Sequence, residues 1–313
     1  MSVKPQVNEL WKYIGENEVN AELIGDLAEF KRSELIYRLT HFDVRTNGVR
    51  YLKTLIRNLA GQLDPASWER LRRTTGRELG RPYSITYDGE PVCLDYLRAV
   101  SDLEFIEKNV DLDGGRVLEI GAGYGRTCHT LMSNKDIVSY VIIDLPTTMA
   151  LSQQYLRAVL SEEQFGRIKF VPIDEIEESL GSAEFDLCIN VDSLAEMSIE
   201  TFRYYLALIA GRCSYFYTNN QVGKYADKSL DGHARGEDAV ARALDAGPLV
   251  DVIDIDDNRA VREQARKFVA VYCPAADWRC VADDWAPPFT WYWQALFQAP
   301  ATGPTTGPAA TDR

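Results

Sequence analysis

Histidine is scarce in this chain of 313 residues, with three copies at His41, His129 and His233, and cysteine never forms a C-x-x-C pair. The six cysteines are scattered at 93, 128, 188, 213, 273 and 280, which excludes a zinc ribbon or a thiol–disulfide motif and reads as reduced core thiols. No apolar run is long enough to span a bilayer, and M-S-V-K-P-Q-V-N-E-L lacks the apolar centre of a signal peptide, so a cytoplasmic protein without a membrane partner is expected. Positive charge is also short: 34 Lys and Arg against 47 Asp and Glu give a net charge of -13, which opposes an extended phosphate-binding surface and makes nucleic acid an unexpected partner. A small acceptor molecule fits that balance better.

With 46% hydrophobic residues, the chain can bury a substantial core and suits one α/β domain plus a smaller addition. Its centre is R-V-L-E-I-G-A-G-Y-G-R, Arg116 to Arg126. Val117, Leu118 and Ile120 make a short buried strand, and the glycines permit a tight turn into the following helix. Gly121 and Gly123 match the first two glycines of the dinucleotide fingerprint G-x-G-x-x-G, but its third falls on Arg126, and the next glycine is Gly125. Glu119 at the strand end would repel a pyrophosphate and attract an ammonium or sulfonium. A second strand, Tyr140 to Ile143, ends on Asp144, 25 positions after Glu119, near the spacing at which an acid grips a ribose diol.

V-L-E-I-G-A-G-Y-G-R and Y-V-I-I-D-L-P together resemble the first two motifs of class I S-adenosylmethionine-dependent methyltransferases. The phrases T-T-M-A-L-S-Q-Q-Y-L and D-S-L-A-E-M-S, with G-R-P-Y and L-D-Y-L-R-A-V-S-D-L-E-F-I-E-K upstream, are similar to a narrower group, the sugar O-methyltransferases of bacterial natural-product pathways. The resemblance implies a Rossmann-like α/β sheet, mostly parallel with its last strand antiparallel, and S-adenosylmethionine as cofactor. It places Glu119, Gly121, Ala122, Gly123, Arg126, Asp144, Leu145, Ile173, Asp174 and Asn190 at that cofactor. Ile173 would lie on the purine face and Asp174 would accept from its exocyclic amine.

Residues 1–113 read as a helical layer for the acceptor or for a homodimer contact, 114–299 as the cofactor-binding domain, and 300–313, rich in Ala, Thr, Gly and Pro, as a disordered tail. Asn47-Gly48 is expected to break the N-terminal helices and Asp64-Pro65 to begin another. Residues 80–91 suggest a hairpin or lid. After Asp144, helices at 147–160 and 199–210 and strands at 168–173, 185–191 and 213–218 follow the doubly wound alternation. A helix at 236–246 comes next, and strands at 249–255 and 267–273 are expected to close the sheet as an antiparallel pair. Four of the six tryptophans, in the stretch from Trp278 to Trp293, would pack on the helices or a second subunit, or form a wall for an aromatic acceptor.

For catalysis the candidates are Asp192, at the carboxyl end of the fourth strand, and His233, in a long polar loop beyond the fifth. His129, early in the helix after the glycines, reads as a packed or cofactor-adjacent residue. The Asn/Asp-Pro-Pro-Tyr/Phe motif of nucleic-acid and protein-glutamine N-methyltransferases is absent. Ser193 to Glu196 fits a capping box, which explains Glu196 without a catalytic role. Asp192 with Asn219 and Asn220 resembles the magnesium site of catechol-type methyltransferases, but those enzymes carry a second carboxylate where this chain has Asn219 or Asn220, so no metal is expected.

Overall fold

The computed structural model describes residues 44–225 and 244–300. The expectations for His41, His233 and the tail beyond residue 300 lie outside the described residues. Seven strands form one sheet in the order β5-β4-β3-β6-β7-β9-β8. They are β3 (Arg116–Ile120), β4 (Ser139–Asp144), β5 (Ile168–Pro172), β6 (Phe185–Val191), β7 (Cys213–Gln221), β8 (Arg279–Trp285) and β9 (Tyr292–Gln298). The first five run parallel, and β9 is antiparallel to both of its neighbours. This is a doubly wound, Rossmann-like sheet, with the chain winding one way from β3 to β5 and the other way from β6 to β7. The crevice for a ligand therefore opens at the carboxyl ends of β3 and β6.

Burial follows the strand sequences. β3, with Val117, Leu118 and Ile120 at 0% exposure, and β4 are covered on both faces, as interior parallel strands must be. One face packs under helices α3 (Leu94–Glu107), α4 (Arg126–Asn134) and α5 (Pro146–Val159). The other carries α8 (Ile199–Arg212) and α9 (Asn258–Tyr272), with Phe202, Phe268 and Tyr272 in its core. Two five-residue helices, α6 (Glu162–Gly166) and α7 (Ile176–Leu180), flank β5. Ahead of these lie α1 (Val44–Ala60), α2 (Pro65–Arg73) and the hairpin β1 (Ser84–Tyr87)–β2 (Glu90–Cys93). Ile56, Leu71 and Val92 of this layer form a third cluster with Tyr96, Leu97 and Val100 of α3. Helix α3 thus has the seven-stranded sheet on one side and the N-terminal layer on the other.

Several local expectations hold. Asp64 caps α2, its carboxylate accepting from Ser67 N at 2.6 Å, with Pro65 in the first turn. The hairpin expected within residues 80–91 is formed by β1 and β2, with Tyr87 stacked on Trp68, centroids 5.4 Å apart. The described cysteines are all free thiols. Asn47 and Gly48, however, lie inside α1 and do not break it. A helical glycine costs about 1 kcal/mol, less than the burial of Ile56 and Ala60 on the same helix returns.

The end of the chain differs most. Residues 267–273 are the last turns of α9 rather than a strand. Val261, Ala265, Phe268 and Tyr272 are buried at helical spacing while Ala270 is exposed, and Asp257 caps the helix through Arg259 N. Residues 249–255 make a single bridge, Val252 to Lys224, because β9 already occupies the edge of β7 as far as Gln221. The antiparallel closure is made instead by the tryptophan-rich stretch, as β8 and β9. Among the described residues no helix is long and apolar enough to cross a membrane.

Candidate active site

Three glycines in the β3–α4 turn have positive φ, and each meets something different. A Cβ on Gly121 would stand 2.2 Å from Ser193 Oγ, and one on Gly125 would stand 2.9 Å from the Leu156 side chain. A Cβ on Gly123 meets nothing within 4 Å. Gly121 and Gly125 are therefore demanded by the fold, and Gly123 alone turns its bare face to open space. Asp144, at the tip of β4, accepts from Gly123 N at 3.0 Å through one oxygen and from Leu145 N at 2.7 Å through the other. Burial raises its carboxyl from the ordinary range, opposed by those backbone bonds. A carboxylate has about four acceptor positions, so two remain for hydroxyls. Leu145 and Ile173 are 51% and 46% exposed although apolar, and they follow paired residues of adjacent strands, Asp144 and Pro172. Asp174 is exposed beside them. An acid at a strand end, next to an open glycine and two exposed aliphatic side chains, is an arrangement that could hold the ribose and purine of an adenosine.

Other residues expected at the cofactor sit deeper. Ala122 is half-buried in the turn. Glu119 is 2% exposed and accepts from Tyr140 Oη at 2.7 Å, so it supports the turn from beneath rather than lining an open surface. Asn190 is fully buried; its amide donates to Ile120 O at 2.9 Å and Ser193 Oγ at 2.6 Å and accepts from Asn220 Nδ2 at 2.8 Å. In this arrangement it ties β3, β6 and β7 together. The capping box at Ser193 to Glu196 is not formed either, because Ser193 Oγ donates to Ile120 O at 3.1 Å. Helix α8 is capped by Ser198.

Burial pushes the Glu119 carboxyl up to about 7, against the bonds from Tyr140 and Thr127. Burial pulls His129 down to about 4, where its Nδ1 meets the hydroxyl of Tyr96 at 2.7 Å. Their effects on stability oppose each other. The Glu119 contribution is present below its unfolded pKa near 4.5 and is lost as pH rises through 7. The His129 contribution is present above 6.5 and is lost as pH falls through 4. Each spans on the order of 3 kcal/mol. Glu119→Gln is expected to unmask the histidine, so that stability from urea melts climbs with pH between 4 and 6.5 more steeply than in the wild type. Identical slopes in the two proteins would remove Glu119 from this balance.

A second group of polar residues gathers around Asp192. Asp192 follows β6 with φ 68, a left-handed conformation costing of order 1 kcal/mol for a non-glycine residue. Its N–H donates to Asn219 O at 2.9 Å, and its Oδ2 accepts from Arg98 Nη2 at 3.3 Å. Asp95, Arg98 and Asp102 occupy one face of α3. Asp102, 2% exposed, accepts from Tyr217 Oη and Asn219 Nδ2, each at 2.8 Å. Arg126 opens α4 with Asp95 3.8 Å away. Burial works against its charge, but Asp102, Tyr124, Asp95 and Asp192 outweigh it and hold the guanidinium above its ordinary range. Seven buried side-chain polar atoms among the described residues lack a partner, and four belong to this network: Arg98 Nε, Asp102 Oδ2, Asp192 Oδ1 and Asn219 Oδ1. Such clustering marks where a further polar group belongs.

Sequence reasoning missed Asp95, Arg98 and Asp102, although their i, i+3, i+7 spacing in L-D-Y-L-R-A-V-S-D was a visible polar stripe. It also left open what the aromatic stretch touches. Phe289 and Tyr292 lie under the Arg98 guanidinium, at 4.9 and 5.5 Å, and Pro287 and Pro288 help enclose a cavity of about 200 Å³ against α3 and the α1–α2 turn. No group of three or more His, Cys, Asp or Glu side chains arranged for a metal occurs among the described residues.

No family profile matches the chain, and no curated protein does. Among solved structures it is similar to the methyltransferase domain of bacterial CtHen1-C, with 11% identity over 65% of this chain and 97% of that one and a TM-score of 0.46. It is also similar to the mitomycin 7-O-methyltransferase MmcR, at 12% identity, 75% and 67% coverage and a TM-score of 0.45. A third is the glycopeptide N-methyltransferase MtfA, at 13% identity, 65% and 90% coverage and a TM-score of 0.43. Values this low leave the fold resting on the chain's own strand order and register.

Proposed function

We propose that the protein is an S-adenosylmethionine-dependent methyltransferase acting on a small natural product, with a hydroxyl of a sugar or glycosylated metabolite as the methyl acceptor. The observation that carries this reading is the bond between Asp144 and Gly123 N at the switch point of the sheet, beside the open face of Gly123. An antiparallel β9 between β7 and β8 supports it, since a standard dinucleotide fold continues in parallel.

In this reading Asp144 takes the ribose diol, Leu145 and Ile173 the purine faces and Asp174 the exocyclic amine, with the turn from Gly121 to Gly123 beneath. When bound, the cofactor supplies an activated methyl group attached to a good leaving group. The protein's share is alignment, exclusion of water and acceptance of the hydroxyl proton, for which Asp192 is placed at the crevice. His233 is the second candidate base.

Asp144→Ala is expected to weaken S-adenosylmethionine binding by about 1.5 to 3 kcal/mol through loss of charge-assisted hydrogen bonds. Calorimetry measures this directly, and unchanged affinity takes Asp144 out of the site. The function itself is tested by titrating S-adenosylmethionine against NAD(H), then incubating labelled cofactor with candidate acceptors and analysing products by mass spectrometry. Binding of NAD(H) alone would overturn the reading in favour of an oxidoreductase. Cofactor binding without transfer to any acceptor would favour a non-catalytic binding protein. A second reading, methylation at carbon or nitrogen of an aromatic acceptor such as an indole alkaloid or cyclic dipeptide, is favoured by Phe289 and Tyr292 grouped around Arg98 near Asp192.

A further inference from the structure

We infer that Arg98 is a positioning residue for Asp192: it engages the proton-accepting carboxylate, fixes the way it faces, and joins the site to α3 and the β8–β9 loop. The inference rests on the methyltransferase reading for its activity arm and on geometry for the rest.

Asp192 Oδ2 accepts from Arg98 Nη2 at 3.3 Å and Oδ1 is buried, and the Tyr292 hydroxyl approaches the same carboxylate. The left-handed backbone at Asp192 is otherwise restrained by the single bond from its N–H to Asn219 O. A half-exposed ion pair of this length adds little stability. Its effect is directional, because it fixes which way the carboxylate faces. Arg98 is itself held: its side chain is 10% exposed and its guanidinium lies over both Phe289 and Tyr292. A planar cation can lie on rings and point one N–H at a carboxylate, which a flexible ammonium does poorly.

The residues beside Arg98 extend this connection. Leu97 is buried in the cluster of the N-terminal layer, and Asp102, one turn further on, is bonded to Tyr217 and Asn219 of β7. Movement of α3 therefore reaches Asp192 from the helical layer through Arg98 and from the sheet through Asn219. In the acting enzyme the acceptor O–H proton passes to the Asp192 carboxylate, which Arg98 holds in place.

The test compares Arg98→Ala, Arg98→Lys, Asp192→Asn and the double variant Arg98→Ala/Asp192→Asn in the full chain. Calorimetry with S-adenosylmethionine should give affinities within about twofold of the wild type in all four. With the acceptor from the product screen, Arg98→Ala should lose about 100-fold in kcat, the scale of a small misplacement of a reacting group, with KM nearly unchanged. Arg98→Lys should recover only a minor part. The double variant should be no slower than Asp192→Asn, and added methylguanidinium should restore about tenfold to Arg98→Ala and nothing to Asp192→Asn. Losses that multiply in the double variant, absence of rescue, or cofactor affinity that falls with turnover would each overturn the inference. If the wild type fails to bind S-adenosylmethionine, the functional reading fails instead.

Discussion

Gly121→Ala is expected to unfold or severely destabilise the protein, whereas Gly123→Ala should leave a cooperative melt and remove cofactor binding. The two positions are two residues apart in one turn and both have positive φ, 75 at Gly121 and 59 at Gly123. What differs is what their α-hydrogens face. At Gly121 a methyl would stand 2.2 Å from Ser193 Oγ and 2.5 Å from Ser193 Cβ, and Ser193 is held by its bond to Ile120 O. Overpacking and left-handed strain together amount to about 3 to 5 kcal/mol, a large part of the stability of an ordinary domain. At Gly123 the strain is about 1 to 2 kcal/mol and there is no clash, but the methyl fills the space a ligand would take. Thermal melts and calorimetry on both variants separate the roles. A wild-type melt for Gly121→Ala would show that Ser193 can move away, and undiminished S-adenosylmethionine affinity in Gly123→Ala would place the ligand elsewhere.

Asp192→Asn is expected to lower turnover by about two to four orders of magnitude with a hydroxyl acceptor, at unchanged cofactor affinity. The substitution keeps shape and removes the capacity to accept a proton. If the acceptor atom is a ring carbon, proton loss follows or accompanies bond formation, and the same change should cost much less. The measurement is turnover of Asp192→Asn and His233→Ala across a pH series, with cofactor affinity determined separately. Near-wild-type rates in both variants reject general-base catalysis by either residue.

The legible parts of the fold were those in which burial produces an unambiguous run. β3, β4 and β6 are short, apolar and β-branched, and each ends where a glycine or an acid marks the carboxyl edge. Lys267 to Tyr272 was ambiguous for a physical reason: over six residues, alternation and helical spacing share most of their apolar positions, and only Ala270, exposed, distinguishes them. The aromatic stretch misled in the opposite way. Trp293, Gln294, Ala295, Leu296 and Phe297 are buried in succession because β9 is an interior strand, and a glutamine among aromatics does not look like one. At the proposed site, the pairing of Asp144 with Gly123 was readable because the two sit in adjacent motifs. The acceptor side was not, since Arg98 meets Asp192 across 94 positions and Asp102 meets Asn219 across 117.

The placement of β9 constrains how the protein can be made. Synthesis is vectorial, and β7 and β8 both emerge before the strand that joins them. Until residues 292–298 are available, β7 is paired only with β6 and β8 has no place in the sheet, so the nascent chain carries a nine-residue strand, Cys213–Gln221, with one edge open. Asn219, which supports both Asp192 and Asp102, lies on that strand. That edge of the sheet is thus completed after most of the polypeptide has been translated, and premature termination inside β9 should yield aggregation-prone chains rather than a partly folded domain.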